Sequence, residues 1–249
     1  MVNLGTDSSF EVLAGAGITV TGPTTIAGDI GTYPTLSITG LGNVTLSGAN
    51  RTGNAGDMLT AKNDLGIAYA DAAGRLYNAT YAGGFNLGGQ TLVSGVYNNG
   101  SSFGLTGTLT LDAQGNPDAV WIFQMGSTLT TAAGTSITSP GSKVDLINGA
   151  QACHVFWQVG SSATIGTYSD FVGNILAWED ITLNTGATVN GRVLAGANQT
   201  SGAVTLDNNT ITRSVCNASS VPDTGSTLLL LGCGLAALLG FGRRFFSLT

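Results

Sequence analysis

The stretch ITLNTGATVNGRVLA (residues 181–195) decides how this chain is read. A short apolar strand gives way to a small Asn-Thr-Gly-Ala turn, and a β-branched residue follows at once. The same theme returns in TLTLDAQGNPDAVWIFQMGSTLTT (108–131), HVFWQVGSSATIGT (154–167) and AVTLDNNTIT (203–212). It recurs at roughly 20–30-residue intervals, the size of one solenoid rung. Stacked rungs bury a continuous Val/Ile/Leu core and leave their outward faces free.

Outward from that stretch, residues 10–56 also alternate short apolar runs with Gly, Asn and Thr. Val12–Leu13, Ile18–Val20, Ile26, Ile30, Ile38 and Val44–Leu46 read as strand centres bounded by turn residues. Residues 57–74 differ. Met58, Ala61, Leu65, Ala68, Tyr69 and Ala72 recur at helical spacing, while Thr60, Lys62, Asn63, Asp64 and Asp71 fall mostly elsewhere. This predicts one amphipathic helix, capped by Asp57 and stopped at Gly74, laid along the side of a β structure.

Composition excludes several functions. Only 9% of residues are charged, and the net charge is −6. Eight basic residues, two of them at Arg243 and Arg244, are too few for phosphate recognition, so nucleic acid is excluded as a partner. Glycine numbers 38 and threonine 33, which suits many short strands with a neutral, hydroxyl-rich surface. One histidine, His154, and three cysteines without a CxxC pair offer too few ligands for a zinc site, and no cofactor is implied. Cys153 and Cys216 read either as a disulfide formed in an oxidising compartment or as two buried thiols. Cys233 lies in an apolar run and reads as a packing residue.

The N-terminus, MVNLGTDSSFEVLAG, has no basic n-region and no long apolar h-region. It reads as a mature start with an added Met1 after loss of a leader. The other end is a separate module. VPDTGST (221–227) precedes an apolar run from Leu228 to Phe241, then Arg243 and Arg244. The run reads as a short membrane-spanning helix held by its basic end. The expected organisation is a domain over 1–216, a linker with a motif over 217–227, and a membrane segment over 228–249.

Taken together, these segments resemble the microbial ice-binding proteins built on a discontinuous right-handed β-helix with one helix alongside. The resemblance rests on LGTDSSFEVLAG (4–15), TGPTTIAGDIGTYP (21–34), YADAAGR (69–75), INGAQACHVFWQVGSSATIGT (147–167), FVGNILA (171–177) and the stretches quoted above. It implies an all-β-dominated solenoid, a monomer, with ice as the partner. The short segment between Gly31 and Asp57 implies that the larger capping subdomain of some members is missing. Ala177–Trp178–Glu179–Asp180 is a bulkier, more acidic step than the family usually carries. The tail resembles a C-terminal sorting signal of the VPD/VPEP type, matched at Val221, Pro222, Asp223, Gly225, Ser226 and Thr227. That implies export, contact with a membrane through this segment only, and delivery to the cell surface or beyond.

Rungs of a solenoid stack ~4.8 Å apart, so equivalent side chains form straight files. Threonine offers a methyl, a hydroxyl and a stiff χ1. The turns Thr21-Gly22-Pro23-Thr24, Thr131-Ala132-Ala133-Gly134-Thr135, Ser161-Ser162-Ala163-Thr164 and Thr185-Gly186-Ala187-Thr188 share a frame. Thr21, Thr24, Thr131, Thr135, Ser161, Thr164, Thr185 and Thr188 are therefore the expected ice-facing residues. Two rival readings use other side chains. A polysaccharide-cleaving β-helix would need a carboxylate cluster, for which Asp170, Glu179, Asp180 and Arg192 are the nearest set. A Ser/His/Asp arrangement has only His154 to draw on, so catalysis is not expected. A surface adhesin or carbohydrate-binding protein would use Trp121, Trp157 or Trp178, although tryptophan in a strand is usually core.

Overall fold

The computed structural model describes residues 1–216. Twenty-four short strands wind as eight rungs of three, and equivalent strands pair in parallel to form three sheets of eight strands each. Inward residues of successive rungs are Val, Ile, Leu and Phe, including Val12, Ile26, Phe103, Leu129, Ile165, Ile181, Val193 and Leu206, all at or near zero exposure. The single-residue alternation of the short strands produces this. In Ile181–Leu183 and Ala163–Ile165 the outer two residues are buried and the middle one points out.

The winding is discontinuous. The first rung, Phe10–Ala14, Gly17–Val20 and Thr24–Ile26, does not lie at an end. It is sandwiched between the second rung, which begins with Asp29–Thr32, and the last, which begins with Val193–Ala195. After the second rung the chain must cross the full stack before winding back toward the first. The helix Ala55–Gly74 makes that crossing. Its 20 residues span ~30 Å at 1.5 Å per residue, comparable to the stack it follows.

The helix lies on the first sheet. Met58, Ala61, Leu65, Ala68 and Ala72 are buried against Leu13, Ile122, Phe156, Leu176 and Leu194, which point outward from that sheet. The helix starts two residues before its expected beginning, with Asn54 as N-cap and Asp57 inside the first turn, where a carboxylate complements the dipole. Lys62, expected on the solvent side, is 1% exposed. Its ammonium donates to the Ala195 carbonyl at 2.7 Å and to the Gly196 carbonyl, where the strand Val193–Ala195 ends. Tyr69 is only half-buried.

No separate subdomain fills 32–54 in the described residues: that span holds the short strands Ile38–Thr39 and Val44–Leu46 and a 3-10 turn. Cys153 and Cys216 are joined as a disulfide across 63 residues, tying the end of the described chain to the rung that begins at Val155. His154 is buried in the short 3-10 turn before that strand. Among the described residues no helix is long and apolar enough to cross a membrane. The expected segment at 228–249, Cys233 and the motif at 221–227 lie outside the described residues.

Candidate functional site

The second sheet carries one residue per rung pointing outward at mid-strand. Reading across the register, these are Thr39, Thr19, Thr205, Thr182, Thr164 and Thr130, followed by Gly104 and Asn86. Six consecutive rungs thus present threonine at the same position. At ~4.8 Å per rung the file runs for about 24 Å. Each of these threonines is exposed or half-exposed. Four of them are flanked on both sides by inward apolar residues, such as Ile18 and Val20 around Thr19, or Ile181 and Leu183 around Thr182.

Among the described residues, none of the six hydroxyls bonds to the protein. The hydroxyls of most turn positions expected from the sequence do. Thr21 donates to the Leu206 carbonyl at 3.3 Å and Thr24 to Gly22 at 3.0 Å. Thr131 is buried, shares a bond with the Ser169 hydroxyl and accepts from the Gly166 N–H at 2.7 Å. Ser161 donates to Glu179, Thr185 to Asp207 and Thr188 to Asp170. Thr21, Thr131 and Thr185 lie at the corner between the second and third sheets, Thr24 and Thr188 open strands of the third, and Ser161 lies at the corner between the first and second, where a backbone change of direction leaves carbonyls and amides to satisfy. Thr135 sits in an exposed excursion of the chain over residues 133–140. Of the eight expected positions, only Thr164 belongs to the file.

Beside the central file, Ser102 and Thr128 share a hydroxyl bond of 2.9 Å, and the Ser162 hydroxyl accepts from the Asp180 N–H. The two carboxylates at the margins are occupied: Asp180 accepts from the Ala203 N–H at 2.7 Å, and Asp207 from Thr185. The acidic step noted in the sequence therefore splits. Ala177 is buried, Trp178 turns toward the helix side against Tyr69, and only Asp180 reaches the margin of this sheet.

The third sheet differs. Its outward file reads Thr45, Thr25, Thr210, Thr188, then Asp170, Lys143 and Thr108. Lys143 also pairs with Asp145 at 2.6 Å. The excursion at 133–140 and Ile137, 85% exposed, turn part of this face into a cleft of about 590 Å³ lined by Tyr168, Asp170, Thr188 and Thr210.

No catalytic centre assembles from the charged set. Asp170 is on the third sheet, Asp180 at the margin of the second, and Glu179 at the corner before it. Arg192 is buried, donating to Asn174 at 2.9 Å and to the Ser8 carbonyl at 2.8 Å. Cys153, His154 and Cys216 cluster, but both sulfurs are spent in the disulfide.

A rigid three-sided solenoid with a helix over one sheet and a level file of free hydroxyls on another defines a protein that docks onto a repeating surface. Comparison with known proteins gives the lineage. The model of the ice-binding-like family matches residues 12–212, and the chain belongs to that family. It is 42% identical over 248 residues to an ice-binding protein of Nostoc sp., covering 97% of this chain and 87% of the relative. It is 38% identical to an ice-binding protein of Colwellia sp., covering 84% and 83%. The crystal structure of an ice-binding protein from the Antarctic ascomycete Antarctomyces psychrotrophicus matches with a TM-score of 0.76 at 41% identity, over 88% of this chain and 99% of that one. A VPDSG-type C-terminal motif matches residues 220–245, and the protein is exported, to the cell surface or beyond.

Proposed function

We propose that this protein adsorbs to ice through the threonine face of the second sheet, and so produces thermal hysteresis and inhibits ice recrystallisation. One observation carries the reading: six hydroxyls and six methyls stand in register on six consecutive rungs, and no hydroxyl of the file is committed to the protein. The methyls favour ordered water around apolar surface, and the free hydroxyls donate and accept to anchor it. β-branched side chains held in a sheet have little rotamer freedom left to lose on docking. The repeat of ~4.8 Å is close to an oxygen spacing in ice. A committed hydroxyl, by contrast, must break a protein bond before it can hold ice-like water, which argues against Thr21, Thr24, Thr131, Ser161, Thr185 and Thr188 as parts of the face.

Adsorption needs no reacting group, and the reading assigns the protein no catalytic role. The file is complete within one chain, so adsorption as a monomer needs no residue from a second copy. The domain at 1–216 is the adsorbing unit, 217–227 holds the linker and the sorting motif, and 228–249 is the membrane segment that serves in export. The test is thermal hysteresis and recrystallisation measured on the full chain. A gap between melting and growth temperatures is expected, and its complete absence at high protein concentration would refute the reading.

A further inference from the structure

The first sheet carries a second feature that ice adsorption does not use. Its outward file reads Leu13, Leu194, Leu176, then Gln158, Gln124 and Asn98. The leucines lie under the helix, and the amides continue past its last turn. Gln124 donates to the carbonyls of Ala72, Ala73 and Arg75 at 2.8, 3.2 and 2.8 Å, and accepts from the Asn98 amide at 3.2 Å. Gln158 donates to the Tyr69 hydroxyl at 2.7 Å. These bonds leave Asn98 Oδ1, Gln158 Oε1, the Tyr69 hydroxyl proton and the Trp178 indole N–H without a partner among the described residues.

The corner position that follows each strand of this sheet reads Gly100, Gly126, Gly160, then Trp178, then Gly196. At Gly126 and Gly160 a Cβ would stand 2.5 Å from the carbonyl oxygen of the preceding rung, so close stacking requires glycine there. The consequence is a bare trough across three rungs, closed at one end by the one large side chain of the series. Trp178 is 41% exposed, its ring 5.2 Å from that of Tyr69 and tilted by 47°. Trp121 and Trp157 are fully buried and take no part. The resulting cleft holds about 370 Å³, within the size range of ligand sites, and no charged side chain lines it.

An aromatic plane at the end of a trough, edged by amide acceptors and by phenol and indole donors, matches the chemistry of a sugar ring. The C–H face of the ring lies on the aromatic, and in-plane hydroxyls reach the amides. Uncharged walls in a protein of net charge −6 offer nothing to uronic or sulfated sugars. We propose that this cleft binds a neutral saccharide strand, with Trp178 as the stacking platform and Asn98, Gln158 and Tyr69 as the hydrogen-bonding rim. An exported protein meets such strands at the cell surface, and the cleft lies on a different sheet from the threonine file, so one chain can hold both at once.

Calorimetric titration of the full chain with cellohexaose, maltohexaose and hexagalacturonate tests this. Saturable binding of a neutral oligosaccharide is expected, with none of the acidic one. Trp178→Ala should weaken it at least tenfold, and Asn98→Ala severalfold, while both keep the thermal hysteresis of the parent chain. No binding of either neutral hexamer at millimolar concentration overturns the proposal. So does unchanged affinity in Trp178→Ala, or stronger binding of the acidic hexamer.

Discussion

The second and third sheets are built from the same rungs, by the same alternation, and both carry threonine on consecutive coils. On the second sheet the file runs unbroken from Thr39 to Thr130 with every hydroxyl free. On the third it stops after four residues at Asp170 and Lys143, and Thr188 donates to the Asp170 carboxylate at 2.9 Å. An excursion of the chain then overhangs it. On the proposed assignment, threonine content alone does not make an adsorbing surface. The proposal asks for an evenly spaced lattice with uncommitted hydroxyls, because charges hold water in geometries set by the ion and a spent hydroxyl has no bond to offer.

The largest effect expected from this contrast follows placing one bulky side chain in the middle of each file. Thr182→Tyr should remove most of the thermal hysteresis, since a ring lifts the flat face off the ice along several rungs. Thr188→Tyr should leave most of it. Equal losses in the two variants would erase the distinction between the faces. Both changes are at positions half-exposed to solvent, and melting curves should show the fold intact.

A second effect concerns pH. Burial raises the Asp7 carboxyl from an ordinary 3.8 to about 8, with the nearby Asp64 adding to the rise. Between those values the folded chain keeps a proton that the unfolded chain has lost. The stabilisation is therefore complete below about pH 4 and declines as pH rises toward 8. Glu11 is raised too, by burial, and acts in the same direction. Denaturant titrations should show stability falling between pH 5 and 8, and Asp7→Asn should flatten that slope. The threonine file has no titrating group, so hysteresis should stay level over the same range. A hysteresis that titrates would implicate charged residues in adsorption.

The smallest expected effect is a gain. Replacing Lys143 and Asp170 together with threonine extends the outward file of the third sheet. A modest rise in hysteresis is expected, limited by the overhang at Ile137, and a loss would show that this face already contributes through its charges.

The sequence carried the rungs and the flanking helix, because each rests on a hydrophobic period, and the C-terminal motif, because its residues stand together in order. It carried the proposed face poorly. The turns at 21–24, 131–135, 161–164 and 185–188 are conspicuous in sequence because they concentrate hydroxyls and glycine, but those hydroxyls are needed locally to turn the chain. The file residues hide in ordinary strands as apolar-Thr-apolar triplets: Ile18-Thr19-Val20, Ala163-Thr164-Ile165, Ile181-Thr182-Leu183 and Val204-Thr205-Leu206. That triplet was the signal available. It does not by itself name a face, since Val44-Thr45-Leu46 and Leu109-Thr110-Leu111 have the same form and lie on the third sheet. Only the winding sorts them, and the winding is discontinuous. Lys62 escaped for a related reason: its two carbonyl acceptors come from residues 195 and 196, far along the chain.

Adsorption itself is the claim to test most directly. Ice grown slowly from a solution of the full chain should take up the protein, while a chain carrying Thr182→Lys and Thr205→Lys should stay in the liquid. Equal uptake of the two would contradict the assignment of the threonine face, whatever their effects on crystal growth.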